Sequence, residues 1–534
     1  MHRGFTGVAA SILLSLALAG CQPTAQEPPA SAASALPVLE GLNRPVSFDA
    51  DVKPVFDNRC VVCHACYDAP CQLVLSSHEG AMRGATQKPV YDSSRLVAMQ
   101  PTRLFVDEPD TAGWRKRDFF SVLEPDPLLL RMLALGKGHP FAPGKRLPDS
   151  VGLDIDRALT CAEGDQFADY AQKHPLGGMP YGTAPLTNDE LGVLAAWVAQ
   201  GAPVPAAVPS SPAVDAQVAI WETFLNGESL KQQLVGRYLY EHWFVADVYF
   251  DNLPDSPFLR VVRSRTPPGQ PIDEIATVRP YDDPGAKFWY RLRPLHASVV
   301  HKTHIVYALG PKRLARLTEL FVTPKWQATA LPSYAPDVAS NPFIAFAEIP
   351  ARSRYQYMLD DAQYFVMTFI RGPVCRGQVA VDVIQDQFFV SFLDPDHDLS
   401  VTDPRFLAQT KALLSLPAEN GGTLLPGDLY LDFARKQHKY LAAREAFYAA
   451  ADPKHLGPTL AAIWDGDGHN TNAQLTVFRN SDNATVVRGF LGALPKTAWV
   501  MDYPIFERIY YDLVAGFDIY GNVVHQVSTR LYMD

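Results

Sequence analysis

The chain has 534 residues, of which 47% are apolar and 19% are charged, and its formal net charge at pH 7 is -10. This length allows two or three domains with substantial cores, and the composition excludes a largely disordered chain. No block of basic residues is present. That absence argues against nucleic acid as a partner and against purely electrostatic binding to anionic lipid.

The first residues have the pattern of an export signal. Arg3 precedes an apolar stretch at residues 8–19, which is shorter than the roughly 20 residues that a membrane-spanning helix needs. The run ends in Leu-Ala-Gly before Cys21, as bacterial lipoprotein signals do. We therefore expect residues 1–21 to be a signal peptide, with Cys21 lipidated in the periplasm. Gln22 favours transfer to the outer membrane, and ordinary secretion with cleavage nearby is the alternative.

Two helices are expected to bracket the first domain. Residues 22–46 are rich in Pro, Ala and Ser and are predicted to be a disordered tether. A helix is expected from about Ser47 to Cys60, and another after Thr187, which can form a capping box with Glu190.

Residues 60–64 read C-V-V-C-H, the pattern of covalent haem attachment. Cys60 and Cys63 can bond to the two vinyl groups of one porphyrin, and His64 can then bind the iron. The alternatives are a Cys60–Cys63 disulfide and a redox or zinc motif. We expect one covalent haem c in a mostly helical, cytochrome c-like domain at residues 47–203.

Met179 is the candidate for the distal ligand of the iron. It lies in the segment G-G-M-P-Y-G, which resembles the distal methionine loop of small c-type cytochromes. The alternative is a methionine of the hydrophobic core. The residues between His78 and Met179 exceed what a small cytochrome needs, so a large insertion of loops and short helices is predicted there.

A Pro-rich stretch at residues 202–213 marks the expected domain boundary. The domain at 214–534 is rich in aromatic residues and is predicted to be mixed α+β, which makes the whole chain a multidomain α+β protein. Its helices are expected at 214–247, 312–322, 352–371, 403–415 and 427–451. Its strands are expected at 259–263, 304–309 and 379–392, with a hairpin of 475–478 and 485–489. No internal repeat is visible.

Four further cysteines bear on the redox state of the chain. Cys66 and Cys71 are close enough in sequence to form a disulfide in an oxidising compartment, and Cys161 is an alternative partner. Cys375 is expected to be a buried thiol.

Two other groups of residues have both a structural and a functional interpretation. The histidines at 242, 296, 301 and 304 are predicted to be hydrogen-bonded structural residues, with a metal site as the alternative. The aromatic residues between Tyr238 and Phe250 are predicted to pack in the core, with the wall of an acyl-chain tunnel as the alternative.

The stretch at residues 56–73, F-D-N-R-C-V-V-C-H-A-C-Y-D-A-P-C-Q-L, resembles the fatty acid cis/trans isomerases of Gram-negative bacteria. The C-terminal residues 521–534 are similar to that family as well. The resemblance implies a periplasmic enzyme that converts cis double bonds of membrane phospholipid acyl chains or free unsaturated fatty acids to trans. It implies Cys60, Cys63 and His64 as haem-binding positions, and no use of ATP or nicotinamide. Family members tend to be longer, so the second domain is expected to be shortened or C-terminally incomplete.

The implied reaction rigidifies the membrane under stress and needs no acid or base, so no catalytic residue is predicted beyond the haem iron. The second hypothesis is a periplasmic electron carrier or redox-sensing lipoprotein with a partner-binding domain. A haem peroxidase of the usual bacterial type is disfavoured, because it needs two C-x-x-C-H motifs and the chain has one.

Overall fold

A computed structural model describes residues 44–533 except 93, 143, 153–158, 207–208, 286, 303, 373–386, 421–425, 455–458 and 481–482. The predicted signal peptide with Cys21, residues 22–43 of the predicted tether, and Cys375 lie outside the described residues. Within the described part, no helix combines the length and the apolar character needed to cross a bilayer.

Seven helices form the first part of the described chain. The predicted capping box is confirmed, because the Glu190 amide donates to Thr187 Oγ1 and the Thr187 amide donates to the Glu190 carboxylate. The helices are α1 (Lys53–Arg59), α2 (Val61–His64), α3 (His78–Arg83), α4 (Thr111–Lys116), α5 (Leu128–Gly138), α6 (Phe167–Lys173) and α7 (Asn188–Ala199). A helical turn at Phe48–Val52 leads into α1.

Apolar side chains of this helical part form one core. Phe56 of α1 and Trp197 of α7 are fully buried, and their rings meet edge to face at 6.1 Å. Leu133 of α5 belongs to the same cluster. Whether this core is that of a cytochrome c-like domain stays a prediction.

Two four-stranded mixed sheets follow. The first, in the order β3-β2-β1-β4, consists of β1 (Asp247–Phe250), β2 (Leu259–Ser264), β3 (Trp289–Pro294) and β4 (Val306–Leu309). The second, in the order β7-β6-β5-β8, consists of β5 (Gln387–Phe392), β6 (Gln474–Asn480), β7 (Asn483–Arg488) and β8 (Ala498–Met501). Together with the helices, the sheets confirm an α+β protein.

The two sheets share one topology. In each sheet the first strand pairs in parallel with the fourth and antiparallel with the second, which pairs antiparallel with the third. After each fourth strand comes a helix that ends in a π-helical turn, Thr318–Val322 in one case and Tyr511–Ala515 in the other. No repeat is visible in the sequence, because a shared strand order requires only similar pairing and not similar residues.

Twelve helices lie in this second part of the described chain. They are α8 (Pro212–Leu225), α9 (Leu230–Trp243), α10 (Pro311–Leu317), α11 (Pro336–Ala339), α12 (Pro342–Ala345), α13 (Ala351–Asp360), α14 (Ala362–Arg371), α15 (Leu399–Thr402), α16 (Pro404–Thr410), α17 (Pro426–Ala451), α18 (Tyr503–Tyr510) and α19 (Val523–Met533). Those near the predicted ranges 312–322, 352–371, 403–415 and 427–451 agree with the prediction, whereas α11, α12, α15, α18 and α19 were not predicted. Buried side chains of α9, α13, α14, α18 and both sheets form one large core.

The single helix predicted at 214–247 is wrong in two places. It is interrupted after Leu225, where the Asn226 side chain donates to the carbonyl of Tyr290 and Ser229 starts a new capping box. It also ends before β1, a strand that the sequence pattern did not indicate. Val248 and Phe250 are fully buried there and Tyr249 between them is only partly buried, an alternation that suits a strand.

Candidate active site

The C-x-x-C-H segment sits at the junction of α1 and α2. Cys60 and Cys63 are both free thiols, so the predicted alternative of a disulfide between them is not formed. Burial raises the pKa of the Cys60 thiol to about 12, with the neighbouring Cys63 adding to the effect. His64 is buried, and its Nδ1 lies 3.0 Å from the carbonyl oxygen of Leu73.

These features fit a covalent c-type haem. Two thiols outside any disulfide are what thioether formation requires. A histidine whose Nδ1 is held by a backbone carbonyl has a fixed ring orientation and binds metals through Nε2. Cys60 and Cys63 are therefore the residues that could attach the porphyrin, and His64 is the one that could bind its iron.

Met179 lies against the same helical core as Cys60. Its amide donates to the carbonyl oxygen of Met132 at 2.9 Å, which fixes the loop to α5. A methyl group added at Gly136 or Gly178 would collide with backbone atoms here, so glycine is required for this close approach. The role of Met179 as distal ligand stays a prediction.

An ion pair joins the residue before the C-x-x-C-H segment to α7, the last helix of this part. Arg59, the residue before Cys60, donates to both carboxylate oxygens of Glu190 at 2.8 and 2.9 Å. The Arg59 hydrogen bond, together with those from Thr187, lowers the pKa of Glu190 from its ordinary 4.5 to about 2. Glu190 therefore caps α7 and at the same time holds α1.

Glu190→Gln is expected to destabilise the protein by about 1 kcal/mol at pH 7, because the charged fork is lost at a partly exposed site. The folded-state pKa of Glu190 is lower than its unfolded value, so the pair stabilises the fold fully above pH 4.5 and progressively less as the pH falls toward 2. The difference between wild type and variant in the free energy of unfolding, measured with urea, should shrink as the pH falls over this range. Asp189→Asn, one residue away and exposed, is the control. A difference that does not vary with pH would contradict the assignment.

The cysteine pairing differs from the first prediction. Cys71 forms a disulfide with Cys161, 90 residues away, and Cys66 is also disulfide-bonded, so the Cys66–Cys71 pair is wrong. The alternative partner Cys161 is confirmed for Cys71. The two cysteines lie in different surroundings, because Cys66 lines a cavity whereas Cys71 packs against the helical core.

The four histidines do not form a metal centre. Burial lowers the pKa of His242 to about 3, and its Nδ1 contacts the carbonyl of Tyr238. His304 contacts the carbonyl of Val300 in the same way. Across the part of the chain that the structure describes, no group of three or more potential metal-binding side chains comes together.

A cavity of about 200 Å³ is lined in part by the residues that follow the C-x-x-C-H segment. Its walls include residues 65–67, which follow His64 in the chain, and segments 103–106, 274–278 and 514–520. Strand β2 forms part of the wall as well. Most of the lining is apolar, as the side chains of Val74, Phe244, Val261, Leu295, Val514 and Phe517 illustrate. A cavity of this kind suits an alkyl chain.

Polar side chains lie at the same cavity. Arg260 donates to Asp247 at 2.9 Å, and Arg293 donates to Glu274 at 2.7 Å. Burial raises the pKa of the Asp518 carboxyl, which also lines the space. The cavity therefore combines apolar walls with a few buried charges.

Only part of this site can be predicted from the sequence. Of the aromatic residues singled out between 238 and 250, Tyr240 and Phe244 line the cavity, whereas Tyr238 and Trp243 are core residues. The other walls come from distant segments whose convergence no local pattern indicates. One signal was present, namely the two arginines in the otherwise apolar strand L-R-V-V-R-S of β2.

Comparison with known proteins identifies the family. The family model described as fatty acid cis/trans isomerase matches residues 99–534, so it covers most of the chain and begins after the haem motif. No curated protein and no solved structure matches the chain. Because the match spans the loop at 103–106, both sheets and the C-terminal wall of the cavity, the chain belongs to the fatty acid cis/trans isomerase family.

Proposed function

We propose that the chain isomerises cis-unsaturated acyl chains at a c-type haem attached to Cys60 and Cys63, with His64 on the iron and the acyl chain in the adjacent cavity. One observation carries the proposal. The residues that immediately follow His64 form part of the wall of the largely apolar cavity, so the haem motif and an acyl-sized space share one segment of chain.

When bound, a ferric haem supplies an electron-poor centre that draws density from the double bond and lowers the barrier to its rotation. The chain's own residues would bind the alkyl chain and orient the iron-binding imidazole. Val74 and Val261 hold the alkyl chain away from water, and the carbonyl of Leu73 fixes the imidazole of His64. Met179 is the proposed distal ligand. The reaction has no net redox change and consumes neither ATP nor nicotinamide.

Gas chromatography of acyl chains tests the proposal. Purified full-length protein with its haem content verified by optical spectroscopy is incubated with cis-9-hexadecenoic acid, beside a Cys60→Ser/Cys63→Ser variant. We expect the trans isomer with wild type and none with the variant. Absence of trans product from haem-loaded wild type would contradict the proposal and favour the electron carrier.

Ala276→Trp is expected to lower the isomerisation rate about tenfold while leaving the haem spectrum unchanged. Ala276 lines the cavity and is exposed, so a large ring at this position obstructs the space without crowding the core. The control is Ala335→Trp, at an exposed position that does not line the cavity. An Ala276→Trp enzyme with wild-type activity would show that the acyl chain binds elsewhere.

The proposal includes a membrane setting, with the protein in the periplasm and anchored to the outer membrane through Cys21. Exposed apolar side chains support contact with lipid. The loop after β7 presents Phe490, Leu491 and Leu494, and Leu494 is 91% exposed. Lys496 follows in the same loop, and a cation beside apolar side chains suits an anionic lipid surface.

Leu494→Asp is expected to weaken binding to phosphatidylglycerol-containing vesicles about tenfold, because a leucine side chain no longer enters the apolar layer. Co-flotation with vesicles measures the effect. Leu460→Asp is a matched control, since Leu460 is equally exposed at 91% but lies between Thr459 and Ala461. Equal binding by all three proteins would exclude this loop as a membrane contact.

A further inference from the structure

The carbonyl that contacts His64 belongs to a turn with unfavourable backbone angles. Leu73, whose carbonyl oxygen lies 3.0 Å from His64 Nδ1, follows Cys71 and Gln72 in the chain. Cys71 has φ 57° and Gln72 has φ 49°, both in the left-handed region that residues with a Cβ atom rarely adopt. The chain then runs back along His64, since the Leu75 amide donates to the His64 carbonyl at 2.7 Å. Contacts from outside the turn are needed to keep this conformation.

Three buried side chains, Arg83, Gln72 and Thr102, provide such contacts, and we call them the Arg83 clamp. The guanidinium of Arg83, at the end of α3, donates to the Gln72 carbonyl and, at 2.9 Å, to the Thr102 carbonyl. The side-chain oxygen of Gln72 accepts from the Thr102 hydroxyl at 2.6 Å, and its amide nitrogen donates to the carbonyl of Lys88 at 2.9 Å. All three clamp residues are at most 3% exposed. The turn is therefore fixed through both the backbone and the side chain of Gln72.

Arg83 has no counter-charge in these surroundings. Among the described residues, no carboxylate forms an ion pair with it, and Asp107, which acts on its charge from a distance, is paired with Arg103 at 2.7 Å. The guanidinium lies 5.2 Å from the ring of Trp114 and 4.7 Å from that of Phe119, so aromatic rings replace water around it. Burial lowers the pKa of Arg83 to about 10, and the group stays charged at neutral pH. Burying an unpaired cation is costly, and the hydrogen bonds to the two clamp carbonyls offset that cost.

We propose that the Arg83 clamp positions the imidazole of His64 for the iron by keeping the Leu73 carbonyl at Nδ1. This inference rests on the proposed function for the role of His64 as iron ligand. A hydrogen bond from the Nδ1–H group to a carbonyl fixes the ring and makes Nε2 a stronger metal ligand. Arg83 is a positioning residue, because its guanidinium acts through the carbonyl of Gln72, one residue before Leu73.

Nitric oxide added to the ferrous, haem-loaded, full-length protein tests the inference. It weakens the bond between the iron and the ligand on the opposite face, so the ratio of five- to six-coordinate nitrosyl haem, read by electron paramagnetic resonance, reports how firmly His64 is held. Arg83→Met should raise this ratio about tenfold, because the Leu73 carbonyl is no longer kept in place. Thr102→Val removes the hydroxyl that donates to Gln72 without changing a charge, and should raise the ratio about threefold. Arg83→Lys should lie between wild type and Arg83→Met.

Lys88→Met is the matched control, because the clamp uses only the backbone carbonyl of Lys88, whose side chain is 54% exposed and paired with Asp118. It should leave the ratio unchanged. Lower stability of Arg83→Met and Thr102→Val with an unchanged ratio would make the clamp structural only and overturn the inference, as would a wild-type protein that is already five-coordinate. Ratios that change as expected in a protein that forms no trans product would refute the proposed function and leave the clamp standing. Trans product with unchanged ratios would do the reverse.

Discussion

Replacement of His64 by alanine is expected to lower the rate of trans-acyl formation at least about 100-fold, because the proposed iron loses the ligand that orients and tunes it. Cys60 and Cys63 remain available for covalent attachment in this variant, so haem content and activity can be measured separately. The pyridine haemochrome spectrum reports attached haem, and gas chromatography reports the trans product. An altered ferric spectrum with attached haem and little activity is the expected combination.

The control for this experiment is His139→Ala. His139 is exposed at the end of α5, and we expect its removal to leave both the spectrum and the activity unchanged. Full activity of a haem-loaded His64→Ala enzyme would show that the iron ligand lies elsewhere. Full activity without attached haem would show that the family's reaction does not use this motif in the chain.

Local patterns predicted the elements whose causes are local. The capping box of Thr187 and Glu190 marks the start of α7, because both hydrogen bonds connect residues three positions apart. The hairpin of β6 and β7 follows from alternating apolar residues around a polar turn. In contrast, strand β3 was not predicted. It contains the buried Arg291, whose charge is neutralised by Glu222 on α8, 69 positions away in the sequence.

The cavity could not be predicted for the same reason. Its walls come from residues near His64, from β2 and from a segment close to the C-terminus, and nothing in one segment indicates the others. The C-x-x-C-H pattern can be read from the sequence because it is confined to five consecutive residues, and its role in attaching haem stays a prediction. The Arg83 clamp could not be predicted, because only the folded chain brings its three residues together.

Glu507→Ala is expected to destabilise the protein by about 3–5 kcal/mol, because it breaks a fully buried ion pair. Glu507 of α18 is fully buried and accepts hydrogen bonds from Arg354 at 3.1 Å, from Tyr238 at 3.0 Å and from Tyr503. Removing the carboxylate leaves the buried guanidinium of Arg354 without its counter-charge. Urea unfolding followed by circular dichroism measures the loss.

The double variant Glu507→Ala/Arg354→Met separates the charge effect from the loss of packing. Once the cation is removed as well, no uncompensated charge remains, and the double variant should be more stable than the sum of the two single effects predicts by about 2 kcal/mol or more. Tyr238 belongs to α9, the helix that also carries the cavity residue Tyr240. We therefore expect Glu507→Ala to weaken fatty acid binding at temperatures below its unfolding transition. Strict additivity of the two substitutions would mean that Glu507 stabilises the fold through its hydrogen bonds to tyrosine and not by neutralising Arg354.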